Sequence, residues 1–182
     1  MTEARQAAIV AELVRQLRDH GSWAGETHVQ KTAYFLQEML DVPLGFEFQL
    51  YKFGPFAFQL RDLLGQMRSL RQLRLEPQPA PYGPKLTLDD GAPQLRTRFP
   101  KTVRTYDPHV SFVAEEIGKY GVGTLERLAT ALMVKLELPD GDASARAALL
   151  HSYKPHVSVT DALDALSQVD AIRDKARAAS II

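Results

Sequence analysis

The sequence predicts a mainly α (α+β) fold: a winged-helix-like helical domain over residues 1–100 with a small β-hairpin wing, then a C-terminal helical extension over 101–182 packed on it as one unit. Three observations predict this. Apolar residues recur at three-and-four spacing through most of the chain, the mark of helices with a buried stripe. A proline- and glycine-rich stretch, Pro77–Pro84, separates two short alternating runs. Those runs follow the third helical segment, which is the order of a winged helix-turn-helix.

The elements follow in order. A first helix runs from Glu3 to His20 on Ala7, Ile9, Val10, Leu13, Val14 and Leu17, and Gly21 stops it. A second, Thr27–Leu40, aligns Val29, Ala33, Leu36 and Leu40, with Tyr34 and Phe35 widening the stripe. Thr27 as N-cap and Gln30 three residues on read as a capping box. Asp41-Val42-Pro43 ends that helix, because the residue before proline is pushed out of helical geometry. Phe46, Phe48 and Leu50 alternate with Glu47 and Gln49 like a half-buried strand. Pro55 suits the first turn of a third helix, where a missing N–H costs nothing. Phe56, Leu60, Leu63, Leu64 and Met67 make its core face, with Phe58, Arg61, Asp62 and Gly65 opposite. The hairpin occupies Leu73–Leu95, and Arg96–Pro108 reads as a basic connector. Helices are then expected over His109–Tyr120, Thr124–Leu138, Ala143–Ser152 and from Ser158 or Thr160 to Ala178. The last of these should bury Leu163, Leu166, Val169, Ile172 and Ala176.

Composition excludes several function classes. The absence of cysteine removes disulfides, thiolate metal sites and cysteine nucleophiles. Residues 1–19 mix charge and apolar groups at helical spacing, unlike a signal peptide, and no apolar run reaches the roughly 18 residues that span a bilayer. A cytoplasmic location with no membrane partner is expected. The five histidines show no zincin spacing; His151 and His156 flank Lys154-Pro155 without a directed third ligand, so no metal is expected. Gly121-Val122-Gly123 precedes a helix but lacks the rest of a phosphate loop, and reads as a stop and a turn. Nothing supplies both a nucleophile and a base, so neither enzymatic activity nor a cofactor is expected. Lys52, between Tyr51 and Phe53, is read as laying its stem on aromatics with its ammonium in water.

The net charge of zero hides an asymmetry. From Lys52 to Arg104 there are ten basic residues against four acidic ones, so this stretch carries +6 and the remainder −6. Either an anionic partner or pairing between faces of the same molecule accounts for it. Phe58 likewise has two readings: burial against another element, or an exposed contact residue flanked by Arg61 and Arg68.

Gln30-Lys31 and Tyr34-Phe35-Leu36-Gln37 on one helix, then Tyr51-Lys52-Phe53-Gly54-Pro55 entering the next, resemble the signature of the YwgA-like proteins and the Panacea (SocA-like) antitoxin domains. The resemblance extends more weakly to Gly118–Tyr120 and Leu125-Glu126-Arg127-Leu128-Ala129-Thr130; Tyr51 stands where Panacea members carry tryptophan. It implies a prokaryotic, non-enzymatic antitoxin-like or regulatory module that neutralises a toxin by direct binding or delivers a partner for degradation. It transfers no catalytic residues. A protein partner is therefore the leading expectation, and a dimeric winged-helix DNA-binding regulator the alternative. The expected contact residues for either are Phe58, Arg61, Asp62, Arg68, Arg71 and Arg74, with Lys85 and Arg98 on the wing.

Overall fold

The strongest apolar stripes become the centre of the molecule. In the computed structural model, which describes residues 1–182, helix α1 spans Glu3–Asp19 and buries Ile9, Leu13, Val14 and Leu17 completely or nearly so. Gly21, at φ 75°, turns the chain out of the helix in a conformation that favours glycine. Helix α2 (Glu26–Glu38) crosses α1, burying Val29, Ala33, Phe35 and Leu36. Its N-cap is Gly25, without a side-chain cap, and not Thr27. The capping box fails because Gln30 points into the core, where both ends of its amide are bonded to Ala57.

After α2 the alternation read in the sequence is real, but most of it is not strand. Val42, Leu44 and Phe46 are buried, Phe48 is half-buried and the intervening residues are exposed. Only Gln49–Tyr51 (β1) pairs, antiparallel, with Gly54–Phe56 (β2). At Phe46 the Gln37 side chain substitutes for a neighbouring strand: it accepts from the Phe46 N–H and donates to the Phe46 carbonyl, both at 2.8 Å. Pro55 accordingly lies in β2, opposite Leu50, rather than opening the next helix. A two-stranded ribbon tolerates the missing donor. Helix α3 (Phe58–Ser69) starts three residues later, capped by Ala57, and buries Leu60, Leu63, Leu64 and Met67.

The expected hairpin follows. β3 (Leu73–Glu76) pairs with β4 (Lys85–Leu88), Leu73 opposite Leu88 and Glu76 opposite Lys85, with residues 77–84 as its long turn. Its inward side chains Leu73 and Leu86 are buried, and the Leu86 N–H donates to the Ala24 carbonyl in the α1–α2 loop. Three helices and then a hairpin are present in the predicted order, and the fold is mainly helical with a small β wing.

Beyond the wing the connector is helical. α4 (Ala92–Arg98) begins in the stretch read as the end of the hairpin, and α5 (Pro100–Glu116) runs through the connector into the helix expected from His109, with Pro108 inside it rather than at its start. Pro93 and Pro100 fall in first turns, where proline is harmless. Leu95 and Val103 are buried, and both helices pack against α1, a contact that local periodicity does not reveal. α6 (Val122–Glu137), α7 (Ala143–Tyr153) and α8 (Val159–Ala178) complete the chain. Asp142 caps α7 and Ser158 caps α8 through side-chain bonds to Ala145 N and Asp161 N. In α8 the buried stripe is Ala162, Ala165, Leu166, Val169, Ile172 and Ala176; Leu163, expected inside, is exposed. α5 lies on α1 and α6 on α2, so a 48-residue core runs through both halves of the chain. No helix is long and apolar enough to cross a membrane.

Candidate functional site

The Gln-Lys pair and the Gly-Pro turn meet in a buried polar clasp. Gln30 accepts from Ala57 N and donates to Ala57 O, each at 3.0 Å. The neighbouring Lys31, only 1% exposed, donates from Nζ to the Pro55 carbonyl at 2.7 Å. Across the hairpin, Lys154 donates to the Lys52 carbonyl at 2.7 Å and the Tyr51 carbonyl at 3.2 Å. Its Nζ also lies 2.9 Å from Glu126 Oε1, a charge contact without hydrogen-bond alignment, since no donor is directed at that oxygen. Gly54, at φ 81°, sits against α6: a Cβ there would lie 2.8 Å from Thr130 Oγ1 and 3.3 Å from the Glu126 carbonyl. The β1–β2 hairpin is thus held by its backbone, from α2 on one side and from α6 and the α7–α8 loop on the other.

This arrangement separates two lysines that the sequence could not rank. Lys31 is the buried one, and burial pulls its pKa down to about 8, with Glu126 opposing and Lys154 reinforcing the shift. Lys52 is exposed with its ammonium 5.5 Å from the Phe53 ring centroid, and only its carbonyl enters the clasp. Sequence reasoning missed Lys154, read as part of a helix break. Nothing local distinguishes it, because the carbonyls it bonds lie about a hundred residues away and Glu126 is on another helix.

A backbone held this way presents its side chains outward. Tyr51, Phe56 and Phe58 touch one another with centroids 5.1–5.5 Å apart, and Phe53 stands beside them. Tyr51, Phe53 and Phe58 are 52%, 48% and 39% exposed, which resolves Phe58 as a surface residue. Arg61, one turn into α3, borders the same face and lines a recess with Lys31, Tyr51, Phe53 and Phe56.

The other expected contact residues are dispersed. Arg61 and Arg68, two turns apart on one side of α3, face a cleft of about 430 Å³ between α3, the α2 N-terminus and the wing. Asp62 lies instead over a shallow groove with Gln59, Gln66 and Gly45. Arg71 is tied to Asp90 at 2.7 Å and approaches Asp89. Arg74 is exposed on β3, and Lys85 holds its ammonium 4.4 Å from the Trp23 ring centroid. Arg98 is on α4, not on the wing, because the segment after Gly91 is helical; its guanidinium lies 5.5 Å from the Phe99 centroid. Of Arg61, Arg68, Arg71, Arg74 and Lys85, only Arg71 has a carboxylate partner.

The histidines diverge. His151 Nδ1 is 2.7 Å from the Val157 carbonyl and His156 Nε2 is 3.6 Å from Glu126, while no three histidine or carboxylate side chains converge. No family model matches the chain, and no curated protein matches it.

Proposed function

We propose that this chain is a non-enzymatic, antitoxin-like or regulatory module that binds a partner protein through Tyr51, Phe53 and Phe58 with Arg61 at the edge. The observation that carries this reading is an exposed aromatic cluster, Tyr51 and Phe53 on a hairpin whose backbone is fixed by buried polar groups and Phe58 beside them at the start of α3. Rigid aromatics lose little entropy on binding, and aromatic-plus-arginine clusters are the usual anchors of protein interfaces. The resemblance of the Gln-Lys and Gly-Pro motifs to the YwgA-like and Panacea group supports the same reading. In it those motifs hold the hairpin and the aromatics make contact.

Affinity capture on wild-type protein and on Phe58→Ala, Tyr51→Ala and Arg68→Ala variants of matched thermal stability tests it. The reading expects a partner held by wild type and Arg68→Ala but lost from both aromatic variants. Retention of every partner by the two aromatic variants overturns it. A second copy bound through the same face would appear as a dimer by light scattering, abolished by the same aromatic changes.

The second reading, duplex DNA recognition by α3 and the wing, draws on Arg61, Arg68 and Arg74, which lack carboxylate partners. Arg61 and Arg68 border a concave cleft, whereas a recognition helix projects its contact face into the groove. That favours the protein partner. Titration of random duplex at two salt concentrations separates the two: steeply salt-dependent micromolar binding would move the regulator ahead.

A further inference from the structure

β1 is bonded on one side only. Its sheet has two strands, so the far edge of β1 meets no strand. β2 packs against α2 and α6, whereas the main contacts of β1 are with β2, and Gln49, Leu50 and Tyr51 are all exposed. The chain just before β1 continues this open edge. Phe46 is engaged by the Gln37 side chain, and the Glu47 N–H donates to Gln59 Oε1 at 3.3 Å. Phe48 differs from both: its N–H and C=O bond to no other backbone group and to no side chain. At the other end Lys154 reaches the Tyr51 carbonyl. Phe48–Leu50 is therefore an extended run between two fastened ends.

Backbone donors and acceptors require partners, and an open strand edge is a template for another extended chain. Proteins guard such edges with charge, proline or a bulge. Phe48, Gln49 and Leu50 supply no charge and no proline, so only the shortness of the strand guards it.

The side chains beside the edge set what can pair with it. Tyr51 packs on Phe56 and Phe58, and with Phe53, Phe56 and Arg61 it lines a recess of about 240 Å³. Lys52 at the hairpin tip and Arg61 beside the recess are exposed, and neither forms an ion pair. Glu26 is the one carboxylate in the recess wall. Glu47 lies where the run begins, its carboxylate bonded to Gln59 at 3.1 Å. Along the edge, charge thus runs from negative at Glu47 to positive at Lys52.

We infer that a segment of the partner protein adds to β1 as a third strand, with alternate apolar residues and a carboxylate at the end beside Lys52 and Arg61. This rests on the protein-partner reading of the aromatic face and names the form the partner takes there. Backbone bonds to the open edge supply affinity and register, and alternate side chains supply specificity. An apolar side chain packs on Tyr51 as a cross-strand neighbour, while the carboxylate meets the two unpaired cations.

A random dodecapeptide library displayed on phage is panned on the wild-type protein, and an enriched sequence is then made as a synthetic peptide. Enriched sequences should alternate apolar residues and carry an excess of Asp and Glu. Binding of the synthetic peptide should slow amide exchange across Phe48–Leu50, read by NMR. Lys52→Glu and Arg61→Glu together, both at exposed positions, should weaken the peptide by about tenfold or more. Enrichment of no sequence, or of sequences without an acidic excess, overturns the inference. So does a peptide that binds without slowing those amides, or that binds the double variant as it binds wild type. A partner captured through Tyr51 and Phe58 when no peptide is enriched overturns strand addition alone. Retention of that partner by the aromatic variants overturns the underlying reading of the face as well.

Discussion

Gln30 and Gln37 sit two turns apart on α2, and each uses one amide to satisfy both polar groups of a distant backbone residue, Ala57 and Phe46. A glutamine can do this because it carries donor and acceptor side by side, as a strand edge does. Replacing Gln30 by methionine keeps the volume but strands a buried N–H and a buried C=O, and should cost about 3 kcal/mol in urea unfolding. Gly54→Ala acts on the opposite side of the clasp. A positive φ and the close Thr130 hydroxyl both oppose a Cβ, so a loss of about 2 kcal/mol is expected in the same assay. The sequence showed these residues as a recurring pattern without showing why. Gln30 looked like a capping residue because its spacing from Thr27 is right, and only the position of Ala57, 27 residues on, reveals the stronger use.

At the scale of elements, α3 shows how far periodicity reaches. Its buried face was legible in full from Leu60 to Met67, since helical spacing sorts inside from outside. Phe58 was undecided, because whether a residue off the stripe is covered depends on what neighbouring elements do. Here they leave it 39% exposed against Tyr51 and Phe56. Phe58→Ala should therefore lower stability by about 1 kcal/mol, the worth of its aromatic contacts. Leu60→Ala, at a fully buried position, should cost about 3 kcal/mol. Paired thermal melts check the order, and a Phe58 loss equal to that of Leu60 would make it a core residue. Helix α4 and the first half of α5 were missed for a related reason. Basic residues and three prolines dilute the local signal, and packing on α1 supplies what propensity lacks.

Across the whole molecule, the clasp makes stability respond to pH in a specific window. Lys31 titrates near 8 in the folded protein but near the ordinary lysine value when unfolded, so between those values the unfolded chain binds more protons. Stability should therefore rise by about 2 kcal/mol from pH 8 to pH 10. Above pH 10 the trend reverses. Burial, aided by Glu38 and Glu137, holds the Tyr34 phenol far above its usual value, so only the unfolded state then loses that proton. Melting temperatures across this range check both limbs, and Lys31→Met should flatten the rise whatever its absolute stability.

The basic middle of the chain divides at this scale. Arg71 is paired within the molecule, while Arg61 and Arg68 face a cleft and remain free. By itself the sequence determined the helices with strong apolar stripes, the wing after the third helix, and the exclusion of cysteine chemistry. All of these depend on residue type and on spacings of a few positions. Only the tertiary structure decided which lysine is buried, which aromatics are bare and which arginines lack partners. Those properties depend on what lies across a contact between residues far apart in the chain, such as Lys154 against the carbonyls of Tyr51 and Lys52.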